Sequence, residues 1–456
     1  MGITAQLAAF ALDPALDNPP ASVAERVAHC LLDSVGCAIG GAFTTLGRRM
    51  REVVADQGGT PVATVIAGGG LKLPPMTAAL CNGQQANVLD FDDTYLDLGH
   101  TGIPVIPAAL AIGEQVDATY EQLRGAIVAG YEVANRIGLA TRPSDERFRT
   151  LYPVGWHAFG ATAAAGRLLG LSHDQMLNAI GITAEHAQVA TTVTTDTVHA
   201  FKAGKLGQSS AIGVFAAQLA AKGFEGKQTV LDADRFFWTA MGSDRFNPEL
   251  LTDGLGDRFT INKMSFKPYP SCRMTHPALG AAEAILRSHD VAAEQIDRVT
   301  IRTFTRMLQL ADPVPRTVEA IPFALPFVMA LFLRRVPAGP AWAQDAILGD
   351  TAVLDLARRV EIVADPAIDD VVDRTGRLPA EVGIHLTDGR VLRERFDDAP
   401  WGADDPPDGA ALRAKFLGMA CSAFGDRAVT LADGLLATTT GRLSPRQIGE
   451  LVSAVD

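Results

Sequence analysis

The hydrophobic pattern of this chain changes near residue 295, and that change limits the folds it can adopt. Before it, apolar residues recur at helical spacing, for example over residues 21–36 and 120–140, and no sustained alternation of apolar and polar residues occurs. After it, residues 298–304 and 359–363 alternate as half-buried strands do. The sequence therefore predicts a helical part followed by a part that mixes strands with helices.

Turn signals and chain length divide the sequence further. Asp388 and Gly389 stand between two more strand-like runs, residues 382–386 and 391–396, and this pair is typical of a hairpin turn. A polar, proline-rich stretch over residues 397–409 precedes a last helical region. Because 456 residues exceed what one core commonly organises, we expect two domains.

The predicted fold class is mainly α with a smaller α+β second domain. The large helical domain is built from both ends of the chain. Its first part spans residues 1–268, the α+β domain spans residues 269–398, and residues 399–456 return to the helical domain.

Charge and composition exclude several classes of partner. The chain has 52 Asp and Glu against 40 Lys and Arg, so we expect neither nucleic acid nor an anionic membrane as a partner. The most apolar stretch, residues 321–333, contains two prolines and is shorter than the roughly 20 residues that cross a bilayer. Five cysteines without a C-x-x-C pair argue against a disulfide framework. Without a signal-like N-terminus, a cytoplasmic location is expected.

Acidic side chains crowd into residues 90–107, D-F-D-D-T-Y-L-D-L-G-H-T-G-I-P-V-I-P. Asp90, Asp92 and Asp93 stand close together there, and His100 follows in a glycine-rich turn. Like charges repel and buried charges need partners, so this crowding between two helical segments costs free energy. Conflicts of this kind with good packing often mark functional sites.

Other stretches place His or Lys beside Gly or Pro immediately before a predicted helix. They are residues 152–157 with His157, residues 202–207 with Lys202 and Lys205, and residues 266–276 with Lys267; a weaker polar stretch covers residues 194–199. The N-terminal end of a helix favours an anion by about 0.3–1 kcal/mol. His and Lys also act as general acid and base once burial brings their pKa toward neutral. Together these stretches predict an anion site with acid–base groups.

Structural explanations compete with each of these signals taken singly. A lone His in a turn is more often structural than functional, and Asp is a common turn residue. Cys272 is more readily explained as a small buried apolar residue than as a nucleophile. The aspartates and His100 could ligate a metal ion, but no H-x-x-x-H pattern accompanies them, so we expect no metal.

Several stretches, in this order along the chain, carry a resemblance to a known family. They are L-L-D-S-V-G-C at 31–37, N-G-Q-Q-A-N-V-L-D-F-D-D-T at 82–94, G-W-H with its Ala-rich helix at 155–170, L-L-G-L-S-H-D-Q-M-L-N-A-I-G-I at 168–182 and F-K-P-Y-P-S-C-R-x-T-H at 266–276. In these stretches the chain resembles the MmgE/PrpD family of 2-methylcitrate dehydratases and cis-aconitate decarboxylases. The resemblance implies an α+β lid on a helical domain, a homodimer and no cofactor. It also implies dehydration, decarboxylation or epimerisation of a small polycarboxylate substrate.

The resemblance further implies which residues act. The implied catalytic residues are Asp93, His100, His157, Lys202 and Lys267, and the implied substrate-binding residues are Thr94, Lys205, Tyr269, Cys272, Arg273 and His276. Lys202 and Lys267 would hold carboxylates and stabilise an enolate-like charge. One of the two histidines would move the proton, and Asp93 would orient a histidine and set its tautomer.

The chain departs from the family pattern at three places. Thr101 follows His100 where a proline is common, Lys205 stands at a usual His position, and Phe327 replaces a Tyr. Such changes alter which substrate oxygens can be satisfied, so the substrate is left open. We predict a cofactor-independent lyase of a small di- or tricarboxylate; the alternative is an epimerase of a small dicarboxylate. A non-catalytic protein is disfavoured because the implied catalytic residues are all present.

Overall fold

The computed structural model describes residues 1–96, 98–148, 154–186, 201–232 and 235–453. Within these ranges the chain forms a large body of helices and a smaller part in which helices pack on a four-stranded sheet. The predicted fold class, mainly α with a smaller α+β domain, is confirmed. The residue limits of the domains, 1–268, 269–398 and 399–456, stay predictions.

Helices make up most of the described chain, both before and after the strands of the sheet in the sequence. Those before the sheet are α1 (Ile3–Ala11), α2 (Ala21–Ala42), α3 (Thr45–Gln57), α4 (Pro75–Asn87), α5 (Gly102–Val116), α6 (Tyr120–Ala140), α7 (Asp145–Phe148), α8 (His157–Leu168), α9 (His173–Glu185), α10 (Phe201–Ala221), α11 (Arg235–Ala240), α12 (Glu249–Thr252) and α13 (His276–Ser288). Those within and after it are α14 (Leu325–Leu333), α15 (Thr351–Ala357), α16 (Pro366–Thr375), α17 (Gly409–Phe424), α18 (Asp426–Leu436) and α19 (Pro445–Ser453).

The strands are short outside the α+β part. They are β1 (Ala63–Thr64), β2 (Lys72–Leu73), β3 (Thr94–Tyr95), β4 (Met264–Ser265), β5 (Ile296–Thr303), β6 (Val360–Ala364), β7 (Ala380–Leu386) and β8 (Val391–Phe396). The last four form the sheet in the order β6-β5-β7-β8, with β5 and β6 parallel and the other pairs antiparallel. Gly389 in the β7–β8 turn has a φ of +90°, which confirms the predicted hairpin and explains why glycine stands there.

Helix α4 lies at the centre of the helical body, against α2, α5 and α10. Two glycines allow this close packing. A side chain at Gly41 of α2 would collide with the carbonyl of Gln85, and one at Gly207 of α10 would lie 2.6 Å from the backbone nitrogen of Gln84. The close contacts place the C-terminal end of α4 next to the N-terminal turns of α10.

Both ends of the chain contribute to one apolar core. It runs from Leu7 near the N-terminus to Val452 near the C-terminus, and α17 and α18 pack on α2. Burying a side chain such as Leu31 or Phe416 stabilises the fold by about 1.5–3 kcal/mol each. The C-terminal helices are therefore held to the helical body by the same effect that holds its N-terminal helices.

In the described ranges no single helix is long and apolar enough to cross a membrane, although α2 and α3 pass that test as a pair bent by 88°.

A two-residue ladder links the helical body to the segment that enters the α+β part. Thr94 of β3 pairs with Ser265 of β4, and Tyr95 pairs with Met264. Lys267 follows two residues after this ladder, so the ladder places its side chain beside the crowded aspartates.

Candidate active site

The residues after α4 form what we call the acid loop, defined as residues 88–96. Asp90 has a φ of +49°, a left-handed conformation that Asp tolerates better than most residues. Asp90, Asp92 and Asp93 are all at least 97% buried. Because three buried carboxylates repel one another, each requires its own set of partners.

Asp90 is the counter-ion of both predicted lysines. Lys267 Nζ donates to the Asp90 carboxylate at 2.8 Å and to its backbone carbonyl at 2.7 Å. Lys202 Nζ also contacts this carboxylate and lies 5.0 Å from the ring centroid of Phe323 in the α+β part. Burial alone would raise the pKa of this carboxyl, but the two lysines hold it well below its usual range. Two positive charges thus lie where the helical body meets the α+β part.

Asp92 is the carboxylate that orients His100. His100 Nδ1 lies 2.6 Å from Asp92 Oδ2, and Asn87 Nδ2 donates to Asp92 Oδ1 at 2.9 Å. Burial raises the pKa of Asp92, but the adjacent imidazole more than offsets this and lowers it. An ionised Asp92 accepts the Nδ1 proton, so a neutral His100 carries its lone pair on Nε2. This Nε2 atom lies 3.8 Å from Asp90 Oδ1.

The prediction that Asp93 orients a histidine is wrong. Asp93 Oδ1 accepts a hydrogen bond from the Gly102 backbone N–H at 3.0 Å, and its Oδ2 accepts one from the Tyr131 hydroxyl at 2.6 Å. These contacts tie the acid loop to the first turn of α5 and to α6. Burial raises the pKa of Asp93 to about 7, and the nearby Asp33 carboxylate adds to the rise. Asp93 therefore supports the site indirectly, by holding the acid loop against α5 and α6.

The raised pKa of Asp93 predicts a specific pH dependence of stability. The group ionises near 3.8 when unfolded and near 7 when folded, so it stabilises the fold fully below pH 3.8, and this stability is lost as pH rises through 7. Asp93→Asn removes the titration and retains the shape. The unmodified protein loses this stability as the pH rises, and the variant does not. We therefore expect the melting temperature of Asp93→Asn minus that of the unmodified protein to increase from pH 5 to pH 8, by an amount set by the difference between the folded and unfolded pKa of Asp93. Parallel melting curves across that range would contradict the assignment.

His157 supports His100 and has no nitrogen left for a substrate. It begins α8, it is fully buried, and Trp156 stacks on its ring with centroids 3.5 Å apart. Its Nδ1 lies 2.8 Å from the Val154 carbonyl, and its Nε2 accepts the backbone N–H of His100 at 3.1 Å. Burial lowers its pKa to about 3, so the ring is neutral. Of the two histidines, His100 is therefore the one placed to move a proton.

Replacing His157 tests this supporting role. His157→Phe keeps the ring and its stacking but removes the acceptor for the His100 N–H, which leaves a buried donor unpaired at a cost of about 1–3 kcal/mol. We expect kcat to fall about 10- to 100-fold, because small displacements of a catalytic group have effects of this size. His157→Gln, which retains an acceptor, is the matched control and should lose less. An unchanged kcat in His157→Phe would exclude the role, whatever the stability.

The residues predicted to bind substrate occupy several different environments. Thr94 Oγ1 and Arg273 Nη1 are buried without a hydrogen-bond partner in the described part of the chain. His276 Nε2 lies 3.1 Å from the Ser271 carbonyl, while its Nδ1 lacks a partner there. Buried polar atoms require partners: the Thr94 hydroxyl and Arg273 Nη1 require acceptors, whereas His276 Nδ1 requires a donor, because the ring proton lies on Nε2.

The other predicted binding residues are Tyr269, Cys272 and Lys205, and each lies in a different environment. The Tyr269 hydroxyl donates to Glu283 Oε2 at 2.9 Å, within the core of the α+β part. Burial raises the pKa of the Cys272 thiol, and Asp90 raises it further, so the thiol stays protonated. Burial lowers the pKa of Lys205, and its neighbour Lys202 adds to this effect. Tyr152 and residues 194–199 lie outside the described residues.

Asp90 and Asp92 make the central contacts of the site, although the sequence predicted neither as a catalytic or substrate-binding residue. Their spacing does not reveal these contacts, because the alternation of an extended strand does not apply next to the left-handed Asp90. The sequence shows neither that Asp90 points at the lysines nor that Asp92 points at His100. In the described ranges no group of three or more His, Cys, Asp or Glu side chains is arranged to hold a metal ion.

Comparisons with known proteins match two family models to this chain. A family model described as the MmgE/PrpD N-terminal domain matches residues 5–249, and one described as the MmgE/PrpD C-terminal domain matches residues 269–433. Together the two matches extend over most of the chain.

The individual relatives are distant in sequence, but each match covers most of both chains. Cis-aconitate decarboxylase of Aspergillus terreus is 26% identical over 452 residues, which cover 92% of this chain and 90% of the relative. The human protein of the same name is 24% identical, covering 82% and 79%. 2-Methylcitrate dehydratase of Cupriavidus necator is 24% identical, covering 82% and 80%. Relatives at this distance include both decarboxylases and dehydratases.

Proposed function

Because this chain belongs to the MmgE/PrpD family, we propose that it is a lyase that removes water or carbon dioxide from a small di- or tricarboxylate without a cofactor. Its relatives are named as decarboxylases and dehydratases, which supports lyase chemistry over epimerisation. The observation that carries the proposal is the pairing of Lys202 and Lys267 with one carboxylate, beside a histidine whose Nδ1 is already held.

The two lysines suit substrate carboxylates. Lys267 is 99% buried and fixed by Asp90, so it supplies a positive charge that does not need to reorganise. The side chain of Lys202 is 18% exposed and can turn toward a ligand. In a site shielded from water, both charges stabilise the negative charge that develops when a carbon next to a carboxylate loses a proton.

His100 would move the proton. With Asp92 accepting at Nδ1, the Nε2 lone pair takes a proton from the carbon next to the substrate carboxylate. In a dehydration, the hydroxyl of the adjacent carbon then leaves and combines with a proton to form water. In a decarboxylation no proton is removed first: carbon dioxide leaves, the electron pair of the broken C–C bond stays on the carbon, and His100 in its protonated form donates a proton from Nε2 to that carbon.

The reaction class can be tested directly by proton NMR. Purified protein is incubated in heavy water with cis-aconitate, with 2-methylcitrate and with other small di- and tricarboxylates. Loss of water or carbon dioxide from one of them supports the lyase. Deuterium exchange without either loss would favour the epimerase, and no change in any acid would reject both.

We further propose a homodimer in the cytoplasm, with neither nucleic acid nor membrane as partner. The family resemblance supports the dimer, and five free thiols suit a reducing compartment. Light scattering coupled to gel filtration tests the dimer, because a monomer mass near 48.2 kDa would exclude it.

A further inference from the structure

A second buried ion pair lies on the other side of the acid loop. Lys415 of α17 contacts Asp33 of α2, with Nζ 2.6 Å from Oδ1 and side chains only 3% and 0% exposed. The same ammonium donates to the backbone carbonyl of Phe91 at 2.6 Å and lies 4.0 Å from the centroid of its ring. The proposed reaction makes no direct use of these groups, although residues 31–37 are among the stretches that carry the family resemblance.

Phe91 stands between the two carboxylates that organise the site. Asp90 precedes it and holds Lys202 and Lys267, and Asp92 follows it and holds His100. The Phe91 carbonyl belongs to the peptide group that leads into Asp92. A contact that fixes this planar group limits the directions in which the side chains on either side of it can point.

Stability alone gives a poor account of this pair. Placing two ions in a dry core costs several kcal/mol each, and apolar residues of similar volume often serve at least as well. Asp33 Oδ2 has no hydrogen-bond partner in the described ranges, and burial raises the pKa of its carboxyl despite Lys415. The pair is thus incompletely satisfied. What it supplies that an apolar pair cannot is a donor for the Phe91 carbonyl.

We propose that Lys415 and Asp33 are positioning residues of the reaction, which hold the Phe91 backbone so that Asp90 faces the lysines and Asp92 faces His100. Neither touches the substrate. This inference rests on the proposed function, because it concerns the same site. It assigns helix α17 a part in positioning the catalytic groups, although Lys415 is 324 positions from Phe91 in the sequence.

The test removes both charges at once. In the double variant Asp33→Asn with Lys415→Met no buried charge is left without its partner, which limits the loss of stability. We expect kcat to fall about 10- to 100-fold with little change in KM, since the lysines still bind carboxylates. Arg413→Met is the matched control, because Arg413 lies on the same helix and pairs with Asp433 at the surface. It should keep the kcat of the unmodified protein.

A spectroscopic readout separates positioning from mere stability. The short contact between His100 Nδ1 and Asp92 should give a far-downfield proton resonance, visible without any substrate. We expect this resonance to shift or broaden in the double variant and to stay unchanged in Arg413→Met. A folded double variant with unchanged kcat and an unchanged resonance would overturn the inference.

Two further cases need their own measurement: a double variant that does not fold, and an unmodified protein without turnover. Asp33→Asn alone covers the case in which the double variant does not fold, and it should show the same changes to a smaller degree; an unchanged resonance and kcat there would also overturn the inference. If the unmodified protein turns over no carboxylate, the proposed function fails. The resonance then still decides whether the pair positions His100.

Discussion

Lys267→Met is expected to lower kcat/KM at least about 100- to 1,000-fold, the usual effect of removing one fixed group that stabilises developing charge. The physical reason is the placement of this ammonium, which is 99% buried and bonded to both the carboxylate and the carbonyl of Asp90. Water cannot replace a charge at that depth. Measuring product formation by NMR at several substrate concentrations gives kcat and KM separately.

The same substitution also affects stability, so folding must be measured alongside. Breaking a buried ion pair commonly costs about 3–5 kcal/mol. Here Asp90 keeps Lys202 as a partner, so we expect the lower end of that range. Lys263→Met is the matched control, because Lys263 lies four residues earlier and pairs with Asp404 at the surface. Equal activity in the two variants would refute a catalytic charge at Lys267.

His100→Gln should lower kcat by about 10²–10⁴-fold, the range found when a general acid or base is removed. KM should change little, because the carboxylate-binding charges of Lys202 and Lys267 remain. The His100 side chain is 90% buried and hydrogen-bonded at Nδ1. The amide of the substituted glutamine occupies a similar volume but has no basic nitrogen. A kcat within threefold of the unmodified protein would move the proton transfer to another group.

A pair of conservative variants extends this test to the two aspartates. Asp92→Asn replaces the acceptor of the His100 Nδ1 proton and should impair turnover strongly, since the wrong tautomer is then favoured. Asp93→Asn changes a carboxyl that contacts Tyr131 and Gly102, so its loss should be smaller. The reverse order of the two losses would restore the assignment that the sequence suggested.

Much of the site was predictable because residue type and position along the chain indicate chemistry. Lys202, Lys267 and His100 do converge on the acid loop, as the sequence predicted. Their grouping followed from a family pattern, and basic residues before helices pointed independently to an anion site. The carboxylate that each of them contacts was not predictable, because neighbouring aspartates in a loop differ only in backbone direction.

His157 illustrates the same limit. The sequence shows a histidine at a helix start, a position compatible with either catalysis or support. The structure shows that both of its nitrogens are occupied, by the Val154 carbonyl and by the His100 backbone. Hydrogen-bond partners of this kind depend on which segments meet in space.

By itself, the sequence determined the fold class and brought forward the acid loop, the two lysines and His100 as a candidate site. Helical spacing, the strand-like runs and the Asp388–Gly389 turn depend on neighbouring residues, so they can be read without a structure. Only the tertiary structure decided that Asp90 pairs with the lysines, that Asp92 and not Asp93 holds His100, and that Lys415 reaches the acid loop. The lysine contacts join residues 112, 177 and 324 positions apart, which only the packed structure brings together. Asp92 and His100 are eight positions apart, and their contact depends on the backbone of the acid loop, which includes the left-handed turn at Asp90.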